Sequence, residues 1–581
     1  MEKEKSLVAE HKSVFMARSK NTKNSLFTVN PSHFLHSLSV SPLSSFIFSP
    51  KKNPRNQKLC SSPNLSLFFL FLLMFFAFFG ISKIGFVPIS QNSIPCSLIP
   101  SSSFPSSSFP SFSSYSPMLL SSLSTMIWDD EDVSRLPNSV MLPLPAHGLV
   151  GNLTEEEREF WRQPDGEGYR SCLHFDINYR RASAKITKEK RRFLVVVVSG
   201  GLNQQRNQII DAVVIARILE AALVIPVLKV NLIWGDESEF SDIFDTEHFR
   251  RTLKADVHIV SSLPSTHLIS GQSIENRIPR DVSPIWIRTR FLKQLDKEGL
   301  LVLKGLDSKL SKNLSHDLQK LRCKVAFHAL RFTAPIRELG NRLARRMWIE
   351  GPYIAIHLRL EKDVWLRTGC LTGLGQEIDD IITKERETQP EFLTGRLNMS
   401  YDRRRLAGLC PLNALEIARL LKALGAPRNA PVYLAGGEPF GGTKALQPLT
   451  VEFPNLVTKE ALAKDWELAP YANRSSAMAA IDYIVSLSSE VFMPSHGGNM
   501  GNAMQGHRAY AGHRKYIKPN KRAMLPFFEE ASISDADFSS IMRQLHKKLQ
   551  GQPEPRIHKR DRSVVAYPVP ECMCNRRTSI F

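Results

Sequence analysis

No stretch of the 581 residues carries the full G-x-G-x-x-G fingerprint that seats a dinucleotide on a helix N-terminus, which excludes a classical NAD or FAD site. The eight cysteines, Cys60, Cys96, Cys172, Cys323, Cys370, Cys410, Cys572 and Cys574, match no zinc-module spacing. Acidic D-x-D pairs that could hold a divalent cation on a diphosphate occur at Asp130-Glu-Asp132 and Asp535-Ala-Asp537. Neither follows a core strand, so both read as solvated charge and no metal is expected. The net charge of +20 is not gathered into a module with interleaved aromatics, so nucleic acid is not an expected partner. Anionic sugar nucleotides or acidic polysaccharide suit such a charge equally well.

Leu65 to Ser82 contains no charge and is rich in Phe and Leu. At about 1.5 Å per residue it covers most of a bilayer core. Lys51, Lys52, Arg55 and Lys58 precede it, and few Lys or Arg follow Lys83, which points to a cytosolic N-terminus and type II topology. The competing reading is a cleaved signal peptide, but the run begins far from Met1.

The length suits two globular domains with extensions. The expected order is a disordered cytosolic tail (1–64), an anchor (65–82), a Ser/Pro-rich stem (83–150), two domains (151–340 and 341–530) and a basic C-terminal tail (531–581). A lumenal location permits disulfides, with Cys370 and Cys410 the first candidate pair because they flank one predicted loop region. Sequons at Asn152, Asn313, Asn398 and Asn473 fit that side of the membrane.

The folded part alternates strand and helix. Arg192 to Ser199 is apolar enough for a strand buried on both faces, and Gly200-Gly-Leu-Asn-Gln-Gln-Arg206 turns into a helix with Ile209, Val213, Ala216 and Leu219 on one face. Leu223 to Leu228 completes a βαβ unit, which places a ligand at the strand's C-terminal end. A second set begins at Tyr353-Ile-Ala-Ile-His-Leu-Arg359 and runs through strands at Pro431–Ala435 and Val491–Met493. The fold class is therefore α/β, two Rossmann-like domains facing a cleft.

The last strand leads into Pro494-Ser-His-Gly-Gly-Asn-Met500, a strand-to-helix turn. Ser495, His496, Gly497, Gly498 and Asn499 would offer backbone N–H groups at a helix N-terminus, with Arg508, Arg514 and Lys515 nearby, a pocket suited to a diphosphate. The bland alternative is a tight turn before a packed helix.

Gly200 to Arg206, Ile225-Pro-Val227, Phe240-Ser-Asp-Ile-Phe244, Ile356-His-Leu-Arg359, Gly408-Leu-Cys-Pro-Leu412 and the Gly-Asn-Met, Gly-His-Arg, Gly-His-Arg run together resemble the plant O-fucosyltransferase-like glycosyltransferases, in order across residues 190–525. That family is related to the protein O-fucosyltransferases and the pectin rhamnosyltransferases. The resemblance implies a GT-B-like fold and inverting, single-displacement transfer in the Golgi from a nucleotide sugar to a glycan or glycoprotein acceptor. The expected donor is GDP-fucose, a substrate, and no cofactor is implied. UDP-rhamnose is the alternative donor, and a non-catalytic carbohydrate-binding or scaffold role is the alternative from another class.

Residue chemistry agrees with it. A fixed guanidinium offers two parallel donors to a departing diphosphate, which suits Arg359; its other reading is an ion pair with Glu361 or Asp363. Glu361 and Asp363 are the candidate general base. His357 either contacts ribose or phosphate or is a satisfied core histidine. Gly200, Gly201, Asn203 and Gln204 would line the opposite wall, and Asn203 and Gln204 could equally serve turn and cap.

Type II topology has a direct check: protease added to sealed Golgi vesicles should leave the chain beyond about residue 90 intact, and digestion of the catalytic part would refute it.

Overall fold

Phe193–Val198, apolar at every position, needs cover on both faces, and the fold grows from that need. The computed structural model describes residues 153–186, 192–230, 235–264, 275–307, 309–394, 398–530, 532–556 and 562–575. The expected tail, anchor and stem lie outside them, and among the described residues no helix is long and apolar enough to cross a membrane.

The strands are β1 (Tyr169–Ser171), β2 (Phe193–Val198), β3 (Ala222–Val224), β4 (Val227–Leu228), β5 (Ile259–Val260), β6 (Glu275–Arg277), β7 (Leu300–Lys304), β8 (Ile354–His357), β9 (Val432–Ala435), β10 (Leu456–Thr458), β11 (Val491–Pro494) and β12 (Met573–Asn575). The helices used below are α1 (Leu202–Leu219), α2 (Ala334–Ile349), α3 (Lys362–Thr368), α4 (Ser475–Ser488), α5 (Asn499–Tyr510), α6 (Lys521–Glu529) and α7 (Asp535–His546).

A six-stranded sheet runs β5-β3-β2-β7-β6, with β4 also on β2, and a four-stranded sheet runs β10-β9-β8-β11. Every pairing in both is parallel. Two parallel Rossmann-like sheets make the α/β fold that the alternating pattern leads one to expect, in the GT-B-like arrangement that the resemblance implies. In each sheet the strand earliest in the chain, β2 or β8, lies inside and has later strands on both sides, so each carboxyl end is a topological switch point.

Strand alternation divides the packing. Tyr353 and Ala355 join a core that also holds Leu194, Val196 and Val198 of β2, whereas Ile354 and Ile356 face a second cluster with Val432, Val491 and Met524. The two halves thus share one apolar core. Asp236 strengthens the join, its Oδ2 accepting the backbone N–H of Ser476 at 2.7 Å and the hydroxyl of Ser475 at 3.1 Å, a cap on α4 supplied from the first half. The boundary expected at residue 340 falls inside α2, where a Cβ on Gly340 would meet Ile484 of α4 at 2.8 Å. Two helices approach here at a distance that only glycine allows.

Residues 532–556 and 562–575 are not the expected basic tail. Ser534 caps α7, whose Phe538 and Met542 enter the second core, and β12 pairs antiparallel with β1. Cys172–Cys574 and Cys323–Cys572 bond this end of the chain to the first half. The third disulfide is the expected one, Cys370–Cys410.

Arg508 also departs from expectation. It is fully buried in α5, and its guanidinium donates to the carbonyls of Ser486, Leu487, Ser489, Glu490 and Lys515 at 2.8–3.3 Å. These carbonyls end α4, lead into β11 and lie just beyond α5, so one side chain ties three backbone segments. Replacing it leaves several of them without a donor, at about 1–3 kcal/mol for each buried group. Arg508→Met should therefore lower unfolding free energy by about 3–5 kcal/mol, read as a lower midpoint of chemical unfolding. Unchanged stability would return Arg508 to the phosphate pocket.

Candidate functional site between two strand ends

At the end of β2 the chain reverses through Gly200, whose φ of +87° belongs to the left-handed region. A Cβ there would collide with the Gln204 carboxamide, whose oxygen accepts the Gly201 N–H at 3.1 Å. Gln205 Nε2 donates to the Gly200 carbonyl at 3.0 Å and Gln208 Nε2 to that of Ser199 at 2.7 Å. Gln204 is therefore cap chemistry, one of the two roles open to it. Asn203 looks the other way: its Nδ2 meets Met500 Sδ at 3.3 Å, and Asn207 Nδ2 donates to Asn499 Oδ1 at 3.2 Å. The turn after β2 and the turn after β11 thus face each other.

The register of β8 on β11 sets His357 opposite Pro494. Ser495, fully buried, knots the two strand ends: its N–H donates to the His357 carbonyl at 3.0 Å, its Oγ accepts the Arg359 N–H at 2.9 Å, and its carbonyl accepts the Leu412 N–H at 2.9 Å. Its groups are thereby spent on holding Arg359 and the Cys410–Leu412 loop in place.

Arg359 is 28 % exposed at its side chain. Its Nε donates to Glu361 Oε2 at 3.1 Å and its Nη2 lies 3.6 Å from Asp363 Oδ2. Glu361 spends its other oxygen on the Gly437 N–H at 3.1 Å, and Asp363 also pairs with Arg367. Both carboxylates expected as a general base are thus held by arginines. Glu361 ends the approach to α3 as its N-cap, and Asp363 sits in that helix's first turn.

Burial, then the nearby Arg359, drives the His357 imidazole down to about 3, and burial with Lys521 does the same to His496, also about 3. Both rings are neutral at physiological pH, each able to donate one hydrogen bond and accept one. His357 Nδ1 is buried without a partner among the described residues, so the ring is not the satisfied core histidine of the alternative reading.

Gly497 and Gly498 are exposed, and a Cβ on either would meet nothing within 4 Å. Neither has a φ that requires glycine, so what they provide is open space before α5, where Asn499, Met500 and Gly501 begin the helix with N–H groups that have no intrahelical partner. An anion lying there would meet this helix N-terminus with Arg359 beside it.

Arg514 and Lys515 do not join that pocket. Arg514 pairs with Glu490 at 3.3 Å, and Lys515 Nζ binds the carbonyls of Glu159 and Phe160. With Arg508 they brace the back of β11. Two cations to which the sequence assigns no role lie nearer. Lys521 of α6 sits 3.4 Å from His496 Nδ1 and donates to the Cys410 carbonyl, and burial lowers its ammonium to about 8. Arg206 lies buried with its guanidinium 4.4 Å from the Tyr483 ring centre and Nη1 3.2 Å from Asn203 Oδ1. Arg206 closes the motif after β2 but stands there among other polar residues, Asn203, Gln204, Gln205, Asn207 and Gln208, that gave it no distinct role; Lys521 had no signal. Asp535 and Asp537 stand in the capping turn of α7, and Asp130 and Asp132 lie outside the described residues.

A family model described as GDP-fucose protein O-fucosyltransferase matches residues 193–511. O-fucosyltransferase 37 of Arabidopsis thaliana is 72 % identical over 440 residues, covering 76 % of this chain and 79 % of that protein. O-fucosyltransferase 20 of the same plant is 52 % identical over 577 residues, covering 97 % and 98 %. A crystal structure of POFUT1 in complex with GDP-fucose overlaps 56 % of this chain and 98 % of that one at 13 % identity and a TM-score of 0.36. Since the model spans more than half of the chain and the relatives span most of it, the chain belongs to the GDP-fucose protein O-fucosyltransferase family and is a glycosyltransferase.

Proposed function

We propose that the chain transfers fucose from GDP-fucose to a hydroxyl of a glycan or protein, with inversion, in the Golgi lumen. The observation that carries this reading is Arg359, held by two carboxylates at the switch point of the second sheet, beside the open N-terminus of α5 and opposite the turn after β2. The donor diphosphate lies between these groups. The acceptor oxygen attacks the fucose anomeric carbon on the face away from GDP, and the bond from that carbon to the β-phosphate oxygen breaks. Negative charge grows on the departing diphosphate, where the planar guanidinium and the helix N–H groups meet it. With Glu361 and Asp363 both in arginine pairs, the hydroxyl proton leaves to water on the acceptor's side as the bond to the anomeric carbon forms.

Disulfides Cys172–Cys574, Cys323–Cys572 and Cys370–Cys410 support a lumenal location, since such bonds persist in oxidising compartments. Asn313, Asn398 and Asn473 of the sequons are exposed, as glycan attachment requires. Type II anchoring through residues 65–82 completes the proposal.

Donor turnover by the membrane-bound chain tests it: GDP release from GDP-fucose is expected, and release of UDP from UDP-rhamnose instead would replace the donor. Arg359→Lys keeps a charge but loses the fork that holds two oxygens at once. It should lower kcat and kcat/KM together by about 2–4 kcal/mol in barrier, with little change in melting temperature. Near-normal turnover with a lower melting temperature would reduce Arg359 to an ion-pair partner.

A further inference from the structure

Arg359 is oriented through Glu361, and the other oxygen of that carboxylate accepts the N–H of Gly437, in the turn after β9. The turn has its own anchor. Asp482 of α4 accepts the Gly436 N–H at 3.2 Å on Oδ2, while Lys459 Nζ donates to the Gly436 carbonyl at 2.7 Å. Asp482 and Lys459 are both buried, lie 3.1 Å apart, and Asp482 Oδ1 also accepts the Tyr433 hydroxyl at 2.6 Å. One buried ion pair therefore takes both polar groups of a single residue's backbone, Gly436.

A second contact runs in parallel. Gly436 has φ +139°, and a Cβ on it would stand 2.5 Å from the Leu358 carbonyl, the peptide just before Arg359. Leu358 N–H in turn donates to the Ala435 carbonyl at 2.9 Å. The turn after β9 is thus pressed on the end of β8 and bonded to its acidic neighbour. A buried ion pair adds little net stability, because desolvation offsets the attraction, so what this pair supplies is a defined geometry.

We propose that Asp482, paired with Lys459, is a positioning residue for transfer: the pair fixes the Gly436–Gly437 turn, the turn fixes Glu361, and Glu361 fixes the plane of the Arg359 guanidinium. This deepens the reading in which Arg359 grips the donor diphosphate and rests on it. Neither Asp482 nor Lys459 touches the donor.

Two variants of the full chain disturb the relay at different points. Asp482→Asn removes the charge that holds Lys459, and Gly436→Ala moves the turn while leaving the ion pair's side chains intact. Each should lower kcat for GDP-fucose about 10- to 100-fold, as slight misplacement of a catalytic group does, with a much smaller change in KM. Combined with Arg359→Lys, neither should add its full loss, because both act through that side chain. Hydrogen exchange at residues 436–437 should be faster in Asp482→Asn. Losses that multiply with that of Arg359→Lys, or unchanged kcat in both single variants, would overturn the proposal. Should the wild-type chain release no GDP from GDP-fucose, the fucosyl reading fails instead, and hydrogen exchange still decides the relay: protection of Gly437 unchanged in Asp482→Asn overturns it.

Discussion

Parallel strands joined by right-handed crossovers can grow a sheet in one direction only, unless a later strand returns to the far side of the first. In both halves of this chain it does: β3 and β7 flank β2, and β9 and β11 flank β8. At such a strand the two crossovers leave on opposite faces, and the backbone beyond its end is uncovered. The turn bearing Asn203 and the residues His357 and Arg359 occupy those two places. The shared core and the Asp236 cap then hold the two openings toward each other, so the position of the site follows from strand order before any side chain is considered.

Arginine does three jobs here that a residue count cannot separate. Arg508 spends its donors on five backbone carbonyls, Arg206 lies against the Tyr483 ring, and Arg359 is clamped by carboxylates with part of its surface exposed. Position in a motif put Arg508 beside a glycine turn, as it put Arg359 at a strand end. Only the packing of residues 486–490 against α5 distinguishes brace from ligand.

The fold was legible where periodicity is strong. Residues 193–228 and the strands at 353–359, 431–435 and 491–493 declare themselves by apolar runs between glycine turns, and they hold the site's walls. Cys370–Cys410 was legible because both cysteines border one loop. Residues 562–575 were not, because β12 is three residues long and the anchors of the segment lie 249 and 402 residues earlier in the chain. Within the site, residue types were readable but their full engagement was not: Glu361 and Asp363 read either as a base or as ion-pair partners of Arg359, and their further partners Gly437 and Arg367 follow from the turn after β9 and the pitch of α3.

The returning C-terminal segment also orders events during synthesis. The peptide around Val565 lies directly on Gly506 of α5, so close that a Cβ at 506 would collide with the Val565 carbonyl, and it is bonded by sulfur to the other half of the molecule. Cys172 and Cys323 must therefore remain unpaired, or paired provisionally, while hundreds of residues emerge behind them. At about 5–20 residues per second that wait is tens of seconds. A chain released early would present two open thiols and the bare face of α5.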